Sequence, residues 1–493
     1  MAAFPLIGEH IALLILVAIA GAIFVIRFPG PKLASISDLW TVWYSIKGQS
    51  HLKAYDVHRE YEIYHGSSTL KSNVYETITP APGAFSTFTA IDRHMHQRKR
   101  KVFSQAFSES AISAFEPTIR RHCEIFITEL AKAIPSVSGG RWSQPLNMTP
   151  RTRHYATDVM GDFGFGRSFD MQTSTRNHFL MKATDGATLV AGIYCQYPKL
   201  KDYGMGRLVA LLGVATKERF GRLAKMLIDE RLSDDTENRR DLLHFISKGD
   251  KKTREPFSMN EVWAESRFTL IAGAETTATA ISSILFYLSR NPASLTRLTS
   301  LIRTTYPSRD DIQLGPKLTQ CTYLWASIDE AMRLSPSVVA ILWRQVIAEN
   351  FTIDGEHVPA GCDLGFSSYV PHHDASIFID PYAFKPERWL ASSNPEDQSR
   401  LEMQQRAFTP FGLGPRKCIG MRMAYAEVAL CLAKTLWALD LRRAKDGVGR
   451  IGAGRKGAKD GREKEEEFQL FEHITCRHDG PYLEWAWRSD KAI

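Results

Sequence analysis

Hydrophobic positions fall into two regimes along the chain. From Ile11 to Ile26 they form an unbroken run, "IALLILVAIAGAIFVI", which as a helix would span ~24 Å, slightly short of a ~30 Å hydrocarbon core. Extending back to Leu6 reaches the full width and takes in Glu9 and His10. The basic residues Arg27 and Lys32 follow the run, none precedes it, and the apolar text continues past the Ala18-x-Ala20 pair that mimics a cleavage site. This predicts an uncleaved anchor over residues 1–27 with the bulk of the chain on the cytosolic side. The next stretch, "FPGPKLA", places Pro29 and Pro31 around a glycine, so residues 28–50 are expected to be a hinge and linker. Residues 51–493 then form the body.

In the body the periodicity is mostly helical, as in "AISAFEPTIRRHCEIFITELAKAI" from Ala111 and "MRMAYAEVALCLAKTLWALDL" from Met421. Strand-like runs are short and late. "NFTIDGEHVPAG" predicts a hairpin at Asp354-Gly355, and "FQLFEHITC" a further short strand. Arg442 to Glu467 is rich in Gly, Lys, Arg and Glu without apolar period and is expected to be a mobile surface loop. One helix stands out. Ser258 and Glu261 have capping-box spacing, and the next stop is Asn291-Pro292, about 30 residues later, or ~46 Å of helix crossing the whole domain. Its middle, Phe268 to Leu288, is apolar apart from Glu275 and several Thr and Ser. The central Glu275 weakens the reading as a second membrane span. Gly273 suggests that something approaches the backbone closely. Thr276 beside Glu275 forms a hydroxyl–carboxylate pair able to pass protons. The fold class expected is a large, mainly α domain with small antiparallel β-sheets.

Composition narrows the function. The net charge of +8, from 62 Lys+Arg against 54 Asp+Glu, is mild for 493 residues. It suits an acidic protein partner or an anionic membrane surface and is too small to argue for nucleic acid. Seven cysteines without a CxxC pair disfavour a disulfide framework or zinc ribbon and favour a reducing compartment. The sequons at Asn147 and Asn350 are then chance matches.

Candidate chemistry lies at three places besides the long helix. In "YLWASIDEAMRLSPS", Glu330 and Arg333 share a helix face. In "FKPERW", Arg388 sits in a proline-constrained loop, and Glu330 between two guanidiniums makes a buried bidentate network, against the blander alternative of a surface ion pair. In "FGLGPRKCIG", Cys418 follows Arg416 and Lys417 and precedes a helix starting near Met421, a setting that favours thiolate. Gly414 allows an unusual turn and Gly420 leaves room for a flat group. Zinc would need three more ligands at recognisable spacing, and a nucleophilic Cys would need a His such as His372 or His373, which the sequence cannot place. A structural cysteine leaves the flanking cations and glycines unexplained. A single axial thiolate on haem iron fits.

With these residues in view, the chain resembles the cytochromes P-450. "FGLGPRKCIG" matches FxxGxRxCxG at Phe411, Gly414, Arg416, Cys418 and Gly420; "AGAETT" resembles the oxygen-activation motif, "EAMR" the ExxR, and "FKPERW" the PERF-like motif. The resemblance covers nearly the whole chain. It implies haem b with Cys418 as its proximal ligand, whose electron donation favours O–O cleavage. It also implies proton delivery by Thr276 and Glu275, and a triad of Glu330, Arg333 and Arg388 holding the haem loop. Arg100, Arg344 and Arg416 are implied as haem-propionate partners, with His96 standing where many members have Trp. The same resemblance implies an endoplasmic-reticulum membrane enzyme taking electrons from NADPH through NADPH-cytochrome P-450 reductase and oxidising a lipophilic small molecule. Arg98, Lys99, Lys101, Lys417 and Arg422 are candidates for a basic face towards the reductase. The style is that of fungal members, implying a polyketide, terpenoid or alkaloid in secondary metabolism. Alternatives are an aromatic-acid (benzoate-type) hydroxylase, an isomerase or dehydratase, and a non-catalytic haem-binding membrane protein. In one departure "HREYE" runs directly to "IYHGSS", where the family has a hairpin of roughly 15 to 20 residues.

Overall fold

The computed structural model describes residues 39–49, 51–52, 68–135, 141–199, 214–233, 241–249, 256–353, 355–445 and 447–489. The anchor, most of the proline linker and the point of the expected missing hairpin lie outside these residues. The described end of the linker, Leu39–Ile46, is an α-helix.

Eight helices position the site: α1 (Arg93–Ala106), α2 (Glu109–Ala131), α3 (Met148–Phe165), α4 (Phe179–Gln196), α5 (Val214–Ser233), α6 (Met259–Arg290), α7 (Thr322–Leu334) and α8 (Met421–Ala438). The long helix α6 forms as its caps dictate. The Ser258 side chain accepts from the Glu261 N–H while the Glu261 carboxylate accepts from the Ser258 N–H. At the other end Asn291 bonds back to the Tyr287 carbonyl through its N–H (3.0 Å) and its side chain (2.8 Å) before Pro292. From Ala274 to Leu288 almost every α6 residue is buried, which makes it the core helix of the domain, packed chiefly on α3. Several of its buried hydroxyls bond locally or across that contact: Thr279 donates to the Glu275 carbonyl (2.8 Å), and Thr152 and Ser282 share a hydrogen bond of 2.8 Å.

Gly273 lies at this crossing. A Cβ there would stand 2.5 Å from Met160 Sδ and 2.6 Å from its Cε. The group that approaches the backbone is therefore the Met160 side chain of α3.

The sheets are small and antiparallel. β1 (Thr69–Lys71), β3 (Arg344–Val346) and β6 (Asp363–Leu364) make one, with Lys71 opposite Arg344. β2 (Leu146–Asn147), β10 (Tyr482–Trp487) and β7 (Leu439–Arg443) make a second, β7 continuing directly from α8. Two hairpins complete the set, β4 (Thr352–Ile353) with β5 (Glu356–His357) and β8 (Phe471–Glu472) with β9 (Cys476–Arg477). The first turns at Gly355, whose φ of +77° favours glycine.

The segment 442–467 departs from expectation. It is tied to the body rather than free: Arg290 and Arg443 both donate to the Gly449 carbonyl (2.8 and 2.9 Å), Arg462 is buried and bonded to Gln469 and the Gly48 carbonyl, and Glu467 is buried against Tyr369. Polar composition concealed this because the burial is achieved by pairing.

The Gly273–Met160 contact gives a stability test. Gly273→Val should lower the urea unfolding free energy by roughly 1–3 kcal/mol through overpacking. Adding Met160→Ala should return part of that loss, a non-additivity read from a double-mutant cycle.

Candidate active site

A cavity of about 390 Å³ lies between α6 and the Cys418 loop. Ala264, Phe268, Ile271, Ala272 and Thr276 of α6 line one wall, with Phe88 and the α4 residues Ala187, Thr188 and Ala191; Phe411, Cys418 and Gly420 line another. The volume and the mostly apolar lining are those of a small-molecule pocket.

The loop is shaped by its own backbone. Gly412 and Gly414 both take φ of +69°, where a side chain would be strained. The Cys418 N–H donates to the Phe411 carbonyl (2.8 Å) and the Lys417 N–H to Gly414 (3.0 Å). These bonds turn the Cys418 sulfur into the cavity, deep in the protein yet accessible from that space. A Cβ on Gly420 would lie 3.8 Å from Sγ and 3.6 Å from Phe107, so the absent side chain keeps the space beside sulfur open. Burial pushes the Cys418 thiol up; the N–H groups of Gly420 and Met421 and the charges of Arg100 and Lys417 oppose that rise without overcoming it. The neighbouring cations and N–H groups thus favour the thiolate, as the sequence suggested, while burial opposes it. Metal ligation reverses the balance, because a coordinated thiol loses its proton.

Cations gather at one end of the cavity. Arg100 donates to the Lys417 carbonyl (2.8 Å), Arg416 to the carbonyls of Ala90 and Ile91 (2.8 Å to the latter), and Arg344 to the Trp343 carbonyl (3.1 Å). Lys71, brought in by the β1–β3 pairing, sits buried over the rings of Phe88 (3.7 Å) and Tyr75 (3.9 Å). Burial and the neighbouring guanidiniums lower Lys71 well below its usual value and Arg416 to about 10. His96 is buried among them, held neutral by burial and by the same charges, with its pKa lowered to about 3. Glu427 is the sole acidic residue among the described lining, and burial drives its carboxyl well above the ordinary range. Backbone carbonyls thus stand where anions belong. A flat dianionic cofactor with a metal at its centre fits this donor set: carboxylates for the cations, one sulfur for the metal.

Beneath the loop lies a buried ion network. Glu330 accepts from Arg333 Nε and Nη2 (both 2.9 Å), from Arg388 Nε (3.0 Å), from the Trp389 indole (2.9 Å) and from the Lys385 N–H (2.9 Å). Glu330 and Arg333 have no exposed surface, which rejects the surface-pair alternative. Arg333 also donates to the carbonyls of His372 (2.6 Å) and Pro381 (2.7 Å). His372 continues the chain, with Nδ1 3.2 Å from the Arg333 carbonyl and Nε2 accepting from the Thr409 N–H (2.9 Å), two residues ahead of Phe411. His372 is thus a structural partner of this network, His373 is buried with Nδ1 2.9 Å from the Tyr369 carbonyl, and neither lines the cavity as a base for Cys418.

The two α6 candidates separate. Thr276 lines the cavity and donates to the Ala272 carbonyl (2.6 Å). Glu275 points away, accepting from Arg153 (2.7 Å) and Thr184 (3.0 Å), while Arg153 also pairs with Asp185 (2.8 Å). The carboxylate reaches the cavity only if this pairing opens. The proposed basic face is also altered. Lys99 is buried on Glu261 (2.9 Å) and Glu265 (3.3 Å), and Arg98 pairs with Glu261, which leaves Lys101, Lys417 and Arg422 exposed.

Lys71, Arg153 and His372's link were not legible: each acts through a partner distant in sequence, and no local motif marks it.

A thiol on a glycine-turned loop, a cation cluster and a long helix with a polar centre, on a helical domain with small sheets, define a haem-thiolate protein. The cytochrome P450 family model matches residues 35–448, and the chain belongs to that family. It is a P450 monooxygenase by class. It is 34% identical over 483 residues, 93% of this chain and 92% of the relative, to the cytochrome P450 monooxygenase AKT7 of Alternaria alternata. It is 30% identical to the cytochrome P450 monooxygenase atnE of Emericella nidulans, across 96% of each chain. Among solved structures, a cytochrome P450 (CYP102L1) superposes with a TM-score of 0.69 at 21% identity over 87% of this chain and 90% of that one. The P450DA haem domain gives 0.67 at 18% over 86% and 84%.

Because burial lowers His372 to about 3, the unfolded chain binds more protons than the folded one between about pH 6.5 and pH 3. His372 therefore contributes stability that is present above about pH 6.5 and lost as pH falls towards 3. His372→Gln, whose amide can serve both hydrogen bonds, should reduce proton uptake on acid unfolding by about one, flattening the stability–pH slope by up to about 1.4 kcal/mol per pH unit. Urea midpoints between pH 4 and 6 for the two proteins check this.

Proposed function

We propose that this P450 inserts one oxygen atom of O2 into a lipophilic small molecule, with electrons drawn from NADPH through NADPH-cytochrome P450 reductase. The observation that carries the reading is Cys418, turned into an apolar cavity whose charged end holds Lys71, Arg100, Arg344 and Arg416. Cys418 would hold haem b through sulfur, and the arginines, with neutral His96 beside them, would hold its propionates. Bound haem supplies the reduction and cleavage of O2. Phe411, Gly414 and Gly420 shape the loop; Glu330, Arg333 and Arg388 fix what lies beneath it. Thr276 holds a hydroxyl at the cavity wall, where it orders water and passes a proton. Glu275 feeds that site when Arg153 releases it. The apolar wall selects substrate by burial and excludes bulk water.

The N-terminal run, Leu6 to Ile26, is proposed to anchor the chain in the endoplasmic reticulum membrane with the catalytic domain in the cytosol. Lys101, Lys417 and Arg422 are proposed to face the acidic reductase. Relatives from Alternaria and Emericella support a fungal type of monooxygenase, and a place in secondary metabolism is proposed with it.

The reduced, CO-bound absorption spectrum tests the cofactor assignment. The wild type should show the strongly red-shifted Soret band of a thiolate-ligated haem, and Cys418→Ala should lose it. Haem bound without that band in the wild type would overturn the assignment. Thr276→Ala should keep the band yet yield product per NADPH about tenfold lower or worse, because a positioned acid–base group contributes roughly 10²-fold. Unchanged coupling would remove Thr276 from the proton path.

A further inference from the structure

The cavity has a further charged position, on helix α6. Arg267 lines it from α6, on the helix face shared by Ala264, Ile271 and Ala272. Its guanidinium lies 5.8 Å from the centre of the Phe220 ring of α5. Among the described residues it has no ion pair and no hydrogen bond. The acidic residues of its own helix are engaged elsewhere. Glu261 pairs with Arg98 and Lys99, Glu265 with Lys99 and Thr87, and Glu275 with Arg153. Burial lowers the Arg267 pKa, and among the described residues no acidic neighbour acts against it. A guanidinium in an apolar wall without a counter-charge is costly to maintain. It is suited to whatever anion enters the cavity.

We propose that the substrate carries a carboxylate that pairs with Arg267, so that the enzyme acts on an elongated amphipathic acid held by its head group and oxidised towards its other end. This rests on the monooxygenase reading above. One guanidinium in apolar surroundings matches one negative charge, and its planar fork matches a carboxylate in a bidentate pair; a phosphate would call for further cations. Position sets length. Arg267 precedes Thr276 by nine residues, about 14 Å along the helix axis, and helical side chains lean towards the N-terminus, which widens the gap. An acid the size of benzoate does not bridge that distance. A medium-length chain or an extended skeleton does.

The test uses the full-length haem-loaded enzyme, titrated with decanoic acid, dodecanoic acid, their methyl esters and benzoic acid, and followed by the spin-state change in haem absorption. The wild type should bind the fatty acids about tenfold or more tighter than the esters, the effect of a charged hydrogen-bonded pair, and tighter than benzoic acid. Arg267→Met should abolish the preference for acid while leaving ester affinity unchanged, and Arg267→Lys should keep part of it. Equal affinity for acid and ester, no acid-selective response anywhere in the series, or an undiminished acid preference in Arg267→Met would each overturn the proposal. The reduced CO spectrum of each protein separates the two readings. Loss of the red-shifted band in the wild type counts against the haem-thiolate assignment, whereas an intact band without acid preference sinks the role of Arg267 alone.

Discussion

Glu330 is the point on which the site depends. Two guanidiniums, an indole and a backbone N–H converge on one fully buried carboxylate. Buried ion pairs seldom add net stability over a well-packed apolar core, but losing one partner strands the rest and costs several kcal/mol. What such a network provides is position. Arg333 spends its remaining donors on the carbonyls of His372, Pro381 and Ala383, and Arg388 on that of Ile379, so four irregular backbone positions are held from one centre. Through His372 the same centre reaches the Thr409 N–H, at the entrance to the cysteine loop. The loop that carries the sulfur is thus registered against α7 by hydrogen bonds rather than by packing alone.

The cavity is organised by a separation of charge from apolar surface. Lys71, Arg100, Arg344 and Arg416 lie at the end closed by β1, β3, α1 and the segment before α8, where backbone carbonyls accept from the guanidiniums, while Arg267 lines the α6 wall. Apart from Arg267 the α6 wall is largely apolar, and other polar side chains of α6 bond to their own backbone, to α3 or, for Glu261 and Glu265, to α1. In the proposed arrangement the cofactor's partners come from β1, β3, α1 and the cysteine loop, and the substrate wall from helices α4 and α6.

Much of this was written locally. The capping box, the stop at Asn291-Pro292, and the ordered glycines, cations and cysteine of residues 411–420 are contiguous signals, and α6 and the loop formed where they indicated. The helical class with small antiparallel sheets was legible for the same reason: the period is a local property. What the sequence did not reveal depends on partners far along the chain. Lys71 reaches the cavity only because β1 pairs with β3. Lys99 looks like part of a solvated basic face, yet Glu261 and Glu265 of α6 draw it inwards. The same failure, charge taken as a sign of exposure, hid Arg462 and Glu467 in the segment read as a mobile loop. Gly273 was correctly seen as a place of close approach, but nothing near it in sequence names Met160 as the neighbour.

Arg153 stands between two carboxylates, Asp185 on α4 and Glu275 on α6, while Thr184 of α4 also donates to Glu275. Helix α4 is at the same time part of the wall around the cavity, through Ala187, Thr188 and Ala191. A displacement of α4 that makes room for a guest carries Thr184 and Asp185 with it and changes the number of partners competing for Arg153 and for Glu275. By linkage, the influence runs equally in the other direction. How firmly the guest is enclosed and how tightly Glu275 is held are then coupled equilibria, so on the proton path proposed above the shape of what is bound would bias the supply of protons.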